Sequence, residues 1–254
     1  MSHDKELQLW QAATSGDPES VAKLLETFPK IDVNWVGGEK GDAAIHRACR
    51  FGHTYIARLL LGDPRTQVEK GNAGGAPPFK IACQEGHADI VGMMLSDPRI
   101  NVNLPARSGC TPISIACETG QTEVVHLLLG DPRTDVNFPD QYLTSPLWIA
   151  AQNGHIEAAQ ALLASEKPVV TSRKSRPGQE GWNGKTASEI GRYQASLTRQ
   201  LVDTDDEFRR KKTLGPVISD LIDSYEKNPD LIRNLLRTFP GIRGSWLLLL
   251  LLPF

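Results

Sequence analysis

The stretch Ile45-His46-Arg47-Ala48-Cys49-Arg50-Phe51-Gly52-His53 occurs again, with substitutions, three more times further along the chain. The later copies begin at Phe79, Ile113 and Leu147, so the spacing is 34 residues each time. An alanine and a glycine keep their places in all four copies, at 48, 82, 116 and 150 and at 52, 86, 120 and 154. A fixed period of about 20 to 50 residues indicates stacked supersecondary units, which offer an extended surface rather than a closed pocket.

Each period predicts two helices and a turn-rich connector, as the copy from 111 to 137 illustrates. Thr111-Pro112 suits the start of a helix over 113–119, because threonine caps helices and proline fits the first helical position. After Gly120 a second helix is expected over 123–129, with an apolar stripe that includes Leu127. We expect Gly130 to form a left-handed C-cap before the turn at Asp131-Pro132-Arg133.

The family of the repeat is indicated by its motifs rather than by its length. Tetratricopeptide repeats share the 34-residue period, but their Trp-x2-Leu-Gly-x2-Tyr pattern is absent. The copy from 111 to 137 instead has Thr111-Pro112-Ile113, Ala116, Leu127-Leu128-Leu129 and Asp135-Val136-Asn137. It resembles the ankyrin repeat, whose usual length is about 33 residues. The extra residue lies in 130–134, where Asp-Pro-Arg recurs in phase with the period.

The resemblance implies an all-α fold, an ankyrin-repeat solenoid of about five to six helix-pair repeats with a C-terminal helical cap. We expect the array to occupy 1–195, and capping helices and an apolar tail to occupy 201–254. The predicted repeats cover about 6–40, 41–74, 75–108, 109–142 and 143–183, with a degenerate sixth at 184–200.

Composition narrows the class of protein. The chain has 254 residues, 40% of them hydrophobic and 23% charged, with a formal net charge of −2. This near balance argues against nucleic acid as the main partner. The N-terminus is polar and carries no signal-like apolar run, so we expect an intracellular protein, cytoplasmic with the nucleus as the alternative. Cys49, Cys83 and Cys117 hold equivalent places and are expected to be buried thiols, whereas Cys110, on a connector, is expected to be exposed.

The sequence offers no candidate catalytic residue, cofactor site or metal site. His53, His87 and His155 follow the glycine in successive copies, and this periodic placement predicts bonds to the backbone of a neighbouring turn. No histidines are paired at i, i+4, and no hydrolase, phosphate-loop or dinucleotide motif occurs. Asp-Pro-Arg predicts a turn. A row formed by Arg65, Arg99 and Arg133 remains open as a binding feature.

The C-terminal quarter carries three features of its own. The charged block 203–212 predicts a solvated helix with acid-first i, i+4 pairs, and a nuclear-import patch is the alternative. Asn228-Pro229-Asp230 predicts the start of a helix that covers the end of the stack with Leu231, Leu235, Leu236 and Phe239. The tail 246–254 is too short to span a membrane. Interfacial anchoring, burial against a partner and an inauthentic C-terminus all remain open for it.

The predicted function is a non-enzymatic module or scaffold that binds another protein of unknown identity. Ankyrin repeats generally bind proteins on the concave side of their first helices and at their connector tips. Two alternatives are a regulatory ankyrin fragment of a larger signalling protein and an incomplete gene model. A small enzyme in 196–254 is disfavoured because this segment lacks His and Cys. Carried onto matching positions, the resemblance predicts helix-end contacts at Arg50, Phe51, Gln84, Glu85, Glu118, Thr119, Gln152 and Asn153, and tip contacts at Glu39, Lys40, Arg107, Ser108, Gln141 and Tyr142.

Overall fold

The computed structural model describes residues 3–176, 184–197 and 206–238. The chain divides into two compact units, Met1–Pro112 and Ile113–Phe254. Thirteen helices and one two-stranded hairpin lie in the described residues. They are α1 (Asp4–Ser15), α2 (Pro18–Thr27), β1 (Val36–Gly37), β2 (Asp42–Ala43), α3 (Ala44–Phe51), α4 (Thr54–Gly62), α5 (Pro78–Glu85), α6 (Ala88–Leu95), α7 (Pro112–Thr119), α8 (Thr122–Gly130), α9 (Pro146–Asn153), α10 (Ile156–Ala164), α11 (Ala187–Leu197), α12 (Asp206–Lys227) and α13 (Pro229–Thr238).

The first unit contains three helix pairs, α1/α2, α3/α4 and α5/α6. The first helix of each pair packs on the first helix of the next pair, and the second helices do the same. Ala13, Ala48 and Ala82 are each fully buried, so these small side chains belong to the packed core of the unit. The hairpin is antiparallel and pairs Val36 with Ala43 and Gly37 with Asp42.

A glycine ends each first helix, and the glycine at 52 shows why no other residue fits. Gly52 has φ +73, in the left-handed region that disfavours a side chain. A Cβ at this position would also lie 2.7 Å from the imidazole of His87 in the next repeat. The fold therefore requires glycine both for the chain reversal and for the contact with the following repeat.

The second unit continues the paired arrangement with α7/α8 and α9/α10. Helix α11 packs on α9 as each first helix of the first unit packs on the preceding one. It starts with a reciprocal cap, because the Thr186 amide donates to Glu189 Oε2 (2.8 Å) and the Glu189 amide donates to Thr186 Oγ1 (3.3 Å). Helix α12 packs on α9, α10 and α11, and α13 packs on α10 and α12. The C-terminal helices thus cover the last full helix pair, as expected, while the division into array and cap at 195–201 stays a prediction.

Several local predictions need correction. Gly130 is the last residue of α8 and has no positive φ, and the C-cap is Asp131 in an extended conformation. Leu127 is only half-buried, whereas Leu128 on the same helix is fully buried. Cys110, which was expected to be exposed, is buried, with 8% of the residue exposed.

The expected apolar face of helix α13 is confirmed at Leu236 and wrong at Leu231. Asn228 caps the helix as predicted, accepting the Leu231 amide at 3.3 Å. Ile232 and Leu236 are buried, whereas Leu231 is 46% exposed. Phe239, the tail 246–254, residues 203–205 and the side chains of 206–212 lie outside the described residues, although the backbone of the charged block is helical from Asp206. In the described part of the chain, no helix is long and apolar enough to span a bilayer.

Candidate protein-binding surface

The predicted helix-end contacts lie immediately beside the core but outside it. In the first unit Phe51 is exposed, and Arg50, Gln84 and Glu85 are partly exposed. The residues that precede them on the same helices are buried, including Cys49 and Cys83. The second unit repeats this pattern: Glu118 and Thr119 are exposed, and Gln152 and Asn153 are partly exposed. Each first helix therefore ends in a pair of side chains that water can reach.

Phe51 belongs to an aromatic and cationic cluster in the first unit. The Arg47 guanidinium lies 4.6 Å from the Phe51 ring centroid and 4.6 Å from the Trp10 ring centroid. Arg47 is held in place by hydrogen bonds from Nε to Thr14 Oγ1 (3.0 Å) and from Nη1 to Asp42 Oδ2 (3.5 Å). Phe51 remains 45% exposed. Its ring thus has a fixed orientation and an open face, which suits contact with a partner.

A buried carboxylate organises the neighbouring polar residues. Asp42, only 1% exposed, accepts hydrogen bonds from Arg50 Nε (3.2 Å) and Asn72 Nδ2 (2.9 Å). Burial alone would raise the pKa of Asp42, but the hydrogen bonds from Asn72 and Arg50 and the charge of Arg50 outweigh it and lower the pKa. Arg50 also reaches Glu85 Oε1 at 3.3 Å, so it links α3 to α5. Arg50 and Glu85 are therefore engaged with each other within the fold.

The connector tips of the first unit present the predicted contact side chains to water. Glu39 and Lys40, between β1 and β2, are exposed, as are Arg107 and Ser108. The tips are joined through the backbone, because the Ala73 amide donates to Lys40 O (2.9 Å) and the Arg107 amide to Gly74 O (3.3 Å). These links order the backbone of the tips while their side chains stay accessible.

In the second unit the predicted tip residues lie on a tight turn. Gln141 is exposed and Tyr142 is half-buried. The Asp140 carboxylate accepts the amides of Tyr142 and Thr144, both at 2.9 Å. The Arg176 amide donates to Tyr142 O at 2.7 Å, so the extended segment before 176 lies against this turn.

The periodic histidines join successive repeats, as their placement predicted. His53 Nε2 donates to Thr14 O (3.2 Å) and His87 Nε2 donates to Arg50 O (3.1 Å) in the first unit. His155 Nε2 donates to Glu118 O (2.9 Å) in the second. A different histidine, His46, is fully buried between the Ala43 amide and Lys70 O, and burial lowers its pKa to about 4. Sequence reasoning missed this group, although its place at the start of α3 singled it out from the others.

The recurring Asp-Pro-Arg turns also hold neighbouring repeats together. In the predicted turn, Asp63 accepts the Arg65 amide at 2.9 Å and pairs with the Arg65 guanidinium. Arg65 Nη1 then donates to Pro29 O at 2.6 Å, and Arg99 Nη2 donates to Leu61 O at 2.6 Å. These guanidiniums are therefore engaged within the fold. The interpretation of the arginine row as a binding feature gains no support from the geometry.

Leu143 is a surface residue that sequence reasoning missed. It is 42% exposed and has φ +62, and it is the only non-glycine residue with positive φ among the described residues. The sequence alone could have singled out Leu143. The equivalent position in the three preceding repeats, at 34-residue steps, is always glycine: Gly41, Gly75 and Gly109.

The cysteines and the other potential metal ligands do not cluster in the part of the chain that the structure describes. No group of three or more His, Cys, Asp or Glu could hold a metal ion there. The four cysteines are free thiols and buried, and burial raises the pKa of Cys49 to about 12. Such a thiol is protonated and a poor nucleophile at neutral pH.

Comparison with known families agrees with this geometry. A model of ankyrin repeats in three copies matches residues 9–106 and 81–173, which together span well over half of the 254 residues. A search among curated proteins gave no match. The family match and the helix pairs confirm the predicted repeat type and the all-α fold class.

Proposed function

Because the chain belongs to the ankyrin repeat family, whose repeats generally mediate protein–protein interaction, we propose that it is a non-enzymatic module that binds another protein through its helix ends and connector tips. In each unit the two kinds of position carry side chains that are fully or partly exposed, although Arg50 and Glu85 also pair with each other between α3 and α5. The partner would contact ordered rather than mobile groups, which reduces the entropic cost of binding.

The observation that carries the proposal is the exposed Phe51 ring. A large apolar side chain that is 45% exposed loses the stabilisation that burial would give it. Here it is also held by Arg47, itself stacked between two aromatic rings. Aromatic and arginine side chains are the residue types that dominate binding energy at protein interfaces. The Arg47–Phe51 pair therefore presents a preformed contact.

The test separates binding from folding with Phe51→Ala and Tyr142→Ala, singly and together, in the full chain. Neither residue is part of the buried core, so thermal unfolding should change little, by about 0.5–1 kcal/mol at Phe51 where the cation–π contact is lost. Association with partners captured from the native cell should fall strongly in the double variant. Tyr55→Ala is the matched control, because Tyr55 is 61% exposed but lies on the second helix α4. Unchanged capture by a folded double variant would refute the proposed surface.

A further inference from the structure

The turn at 140–143 breaks the glycine pattern of the connector tips. Gly41, Gly75 and Gly109 have φ of +60, +73 and +79, and Leu143 holds the next place in the register with φ +62. The backbone conformation is thus retained while glycine is not. A leucine in the left-handed region places its Cβ too close to the adjacent carbonyl oxygen, so it is less favourable there than glycine.

Packing within the unit covers Leu143 only in part. The residue is 42% exposed, so a substantial part of an apolar side chain stays in contact with water. The turn is fixed by other groups, namely the Asp140 carboxylate, which accepts two amides, and Asp140 O, which accepts the Leu143 amide at 3.0 Å. A non-glycine residue held in the left-handed region by the surrounding turn is the kind of backbone outlier from which a binding role is inferred.

The segment beside the turn supplies positive charge. It is attached at both ends, since Asn137 Nδ2 donates to Pro168 O (2.6 Å) and the Arg176 amide donates to Tyr142 O (2.7 Å). Between 168 and 176 the sequence contains Arg173, Lys174 and Arg176 and no acidic residue. Lys174 and Arg176 are exposed, and Arg173 is partly exposed. Asp140, the acidic residue of the turn itself, accepts two amide hydrogen bonds and keeps its negative charge, and the three basic residues outnumber it.

We propose that Leu143 and the basic segment 173–176 form one anchoring site for an acidic peptide segment that carries a large apolar side chain. The apolar side chain would pack on Leu143, and the flanking carboxylates would pair with the arginine and lysine side chains. This inference rests on the proposed function and specifies the chemistry of a partner at the second unit. It does not involve Phe51, so the two surfaces can be tested apart.

The experiment selects random peptides displayed on phage against the full chain and measures the best binders as synthetic peptides by fluorescence polarisation. We expect Asp and Glu to be enriched around one Leu, Ile, Met or Phe. Binding should weaken with added salt, because exposed charge pairs are screened. Peptides without this composition, or a library that yields no binder, would overturn the proposal.

Variants then locate the site. Leu143→Gly suits the backbone conformation but loses a partly buried side chain, so the melting temperature should stay close to that of the wild type. The dissociation constant should rise about tenfold or more, as for a hot-spot side chain. Leu143→Met should keep the affinity, and so should Leu231→Ala, a control at an exposed leucine on α13. Charge reversal by Arg173→Glu with Lys174→Glu should abolish binding.

Two results would separate this inference from the proposed function. Peptides that lose affinity on Phe51→Ala but not on Leu143→Gly would overturn the inference and leave the proposed function standing. Peptides that respond to Leu143→Gly but not to Phe51→Ala would support the inference and move the main binding surface away from the helix ends of the first unit.

Discussion

Replacing Thr134 by valine should stabilise this protein, although the site is buried and already well packed. Thr66 and Thr134 follow the arginine of Asp-Pro-Arg in their connectors and are 6% and 4% exposed. Among the described residues, their Oγ1 atoms are two of three buried side-chain N or O atoms without a hydrogen-bond partner. The amides are engaged normally, Thr66 with Asp63 O (3.1 Å) and Thr134 with Asp131 O (3.2 Å). At each threonine, the side-chain hydroxyl therefore lacks a hydrogen-bond partner while the backbone amide has one.

The magnitude follows from the cost of burying that hydroxyl. A buried polar group without a partner costs about 1–3 kcal/mol, and valine matches threonine in shape while removing the group. We expect a gain of about 1 kcal/mol per site. The gains should add in the double variant, because the two threonines share no partner and lie in different units. The chain itself shows that an aliphatic side chain fits, since Ile100 holds the equivalent place, 4% exposed, with its amide on Asp97 O at 3.1 Å.

Urea unfolding followed by circular dichroism measures the effect as a shift of the midpoint at unchanged slope. Thr14→Val is the matched control, because Thr14 Oγ1 donates to Trp10 O (2.8 Å) and accepts from Arg47 Nε (3.0 Å). The same substitution should cost about 1 kcal/mol there. If Thr66→Val and Thr134→Val lowered the midpoint as Thr14→Val does, the hydroxyls would have partners and the reasoning would fail.

Three further measurements test other parts of the structure. His46 has a pKa of about 4 in the folded protein against an ordinary 6.5, so the unfolded chain takes up a proton first as the pH falls. About 3 kcal/mol of the free energy of unfolding should therefore be lost between pH 6.5 and pH 4. In His46→Ser the urea midpoint should vary less over the same pH range. Leu128→Ala, at a fully buried site, should lower the free energy of unfolding by about 2–5 kcal/mol, and Leu127→Ala by clearly less. Protection from hydrogen exchange should be lost first in the neighbouring helices. Equal costs of the two substitutions would contradict the observed burial. The buried thiols at 49, 83, 110 and 117 should react with a thiol reagent only on unfolding, and neither dithiothreitol nor EDTA should shift the melting temperature by several degrees.

The sequence predicted the repeated parts of the fold, because a feature that recurs in several copies can be recognised even where one copy departs from it. The helix pairs, the glycine that ends each first helix and the histidine that follows it were all read from their register. The expected bond from His53 to a neighbouring backbone is confirmed by its contact with Thr14 O. The Asn228 cap could also be predicted, since it depends on only a few consecutive residues.

Errors occurred where the tertiary environment decides between neighbouring residues. Leu127 and Leu128 are equally apolar, and only the rotation of α8 makes the second one the buried residue. The same holds for Leu231 and Ile232 on α13. Gly130 was expected in a left-handed cap from residue type alone, but the turn that follows starts from an extended Asp131. The binding residues stay a prediction, because exposure permits contact and does not identify a partner.

The histidine links and the arginine links of the Asp-Pro-Arg turns share one direction along the chain and join adjacent repeats, whereas other links, such as Arg50 to Glu85, run the opposite way. In His53–Thr14, His87–Arg50, Arg65–Pro29 and Arg99–Leu61 the donor always belongs to the later repeat and the carbonyl acceptor to the earlier one. Removing a repeat from the N-terminal side would leave donors without acceptors, whereas removal from the other side would leave carbonyls that water can reach more easily. Duplication of one whole period would reproduce every link, while an insertion of any other length would misalign them. Evolution or an engineer could therefore lengthen this array only in whole repeats.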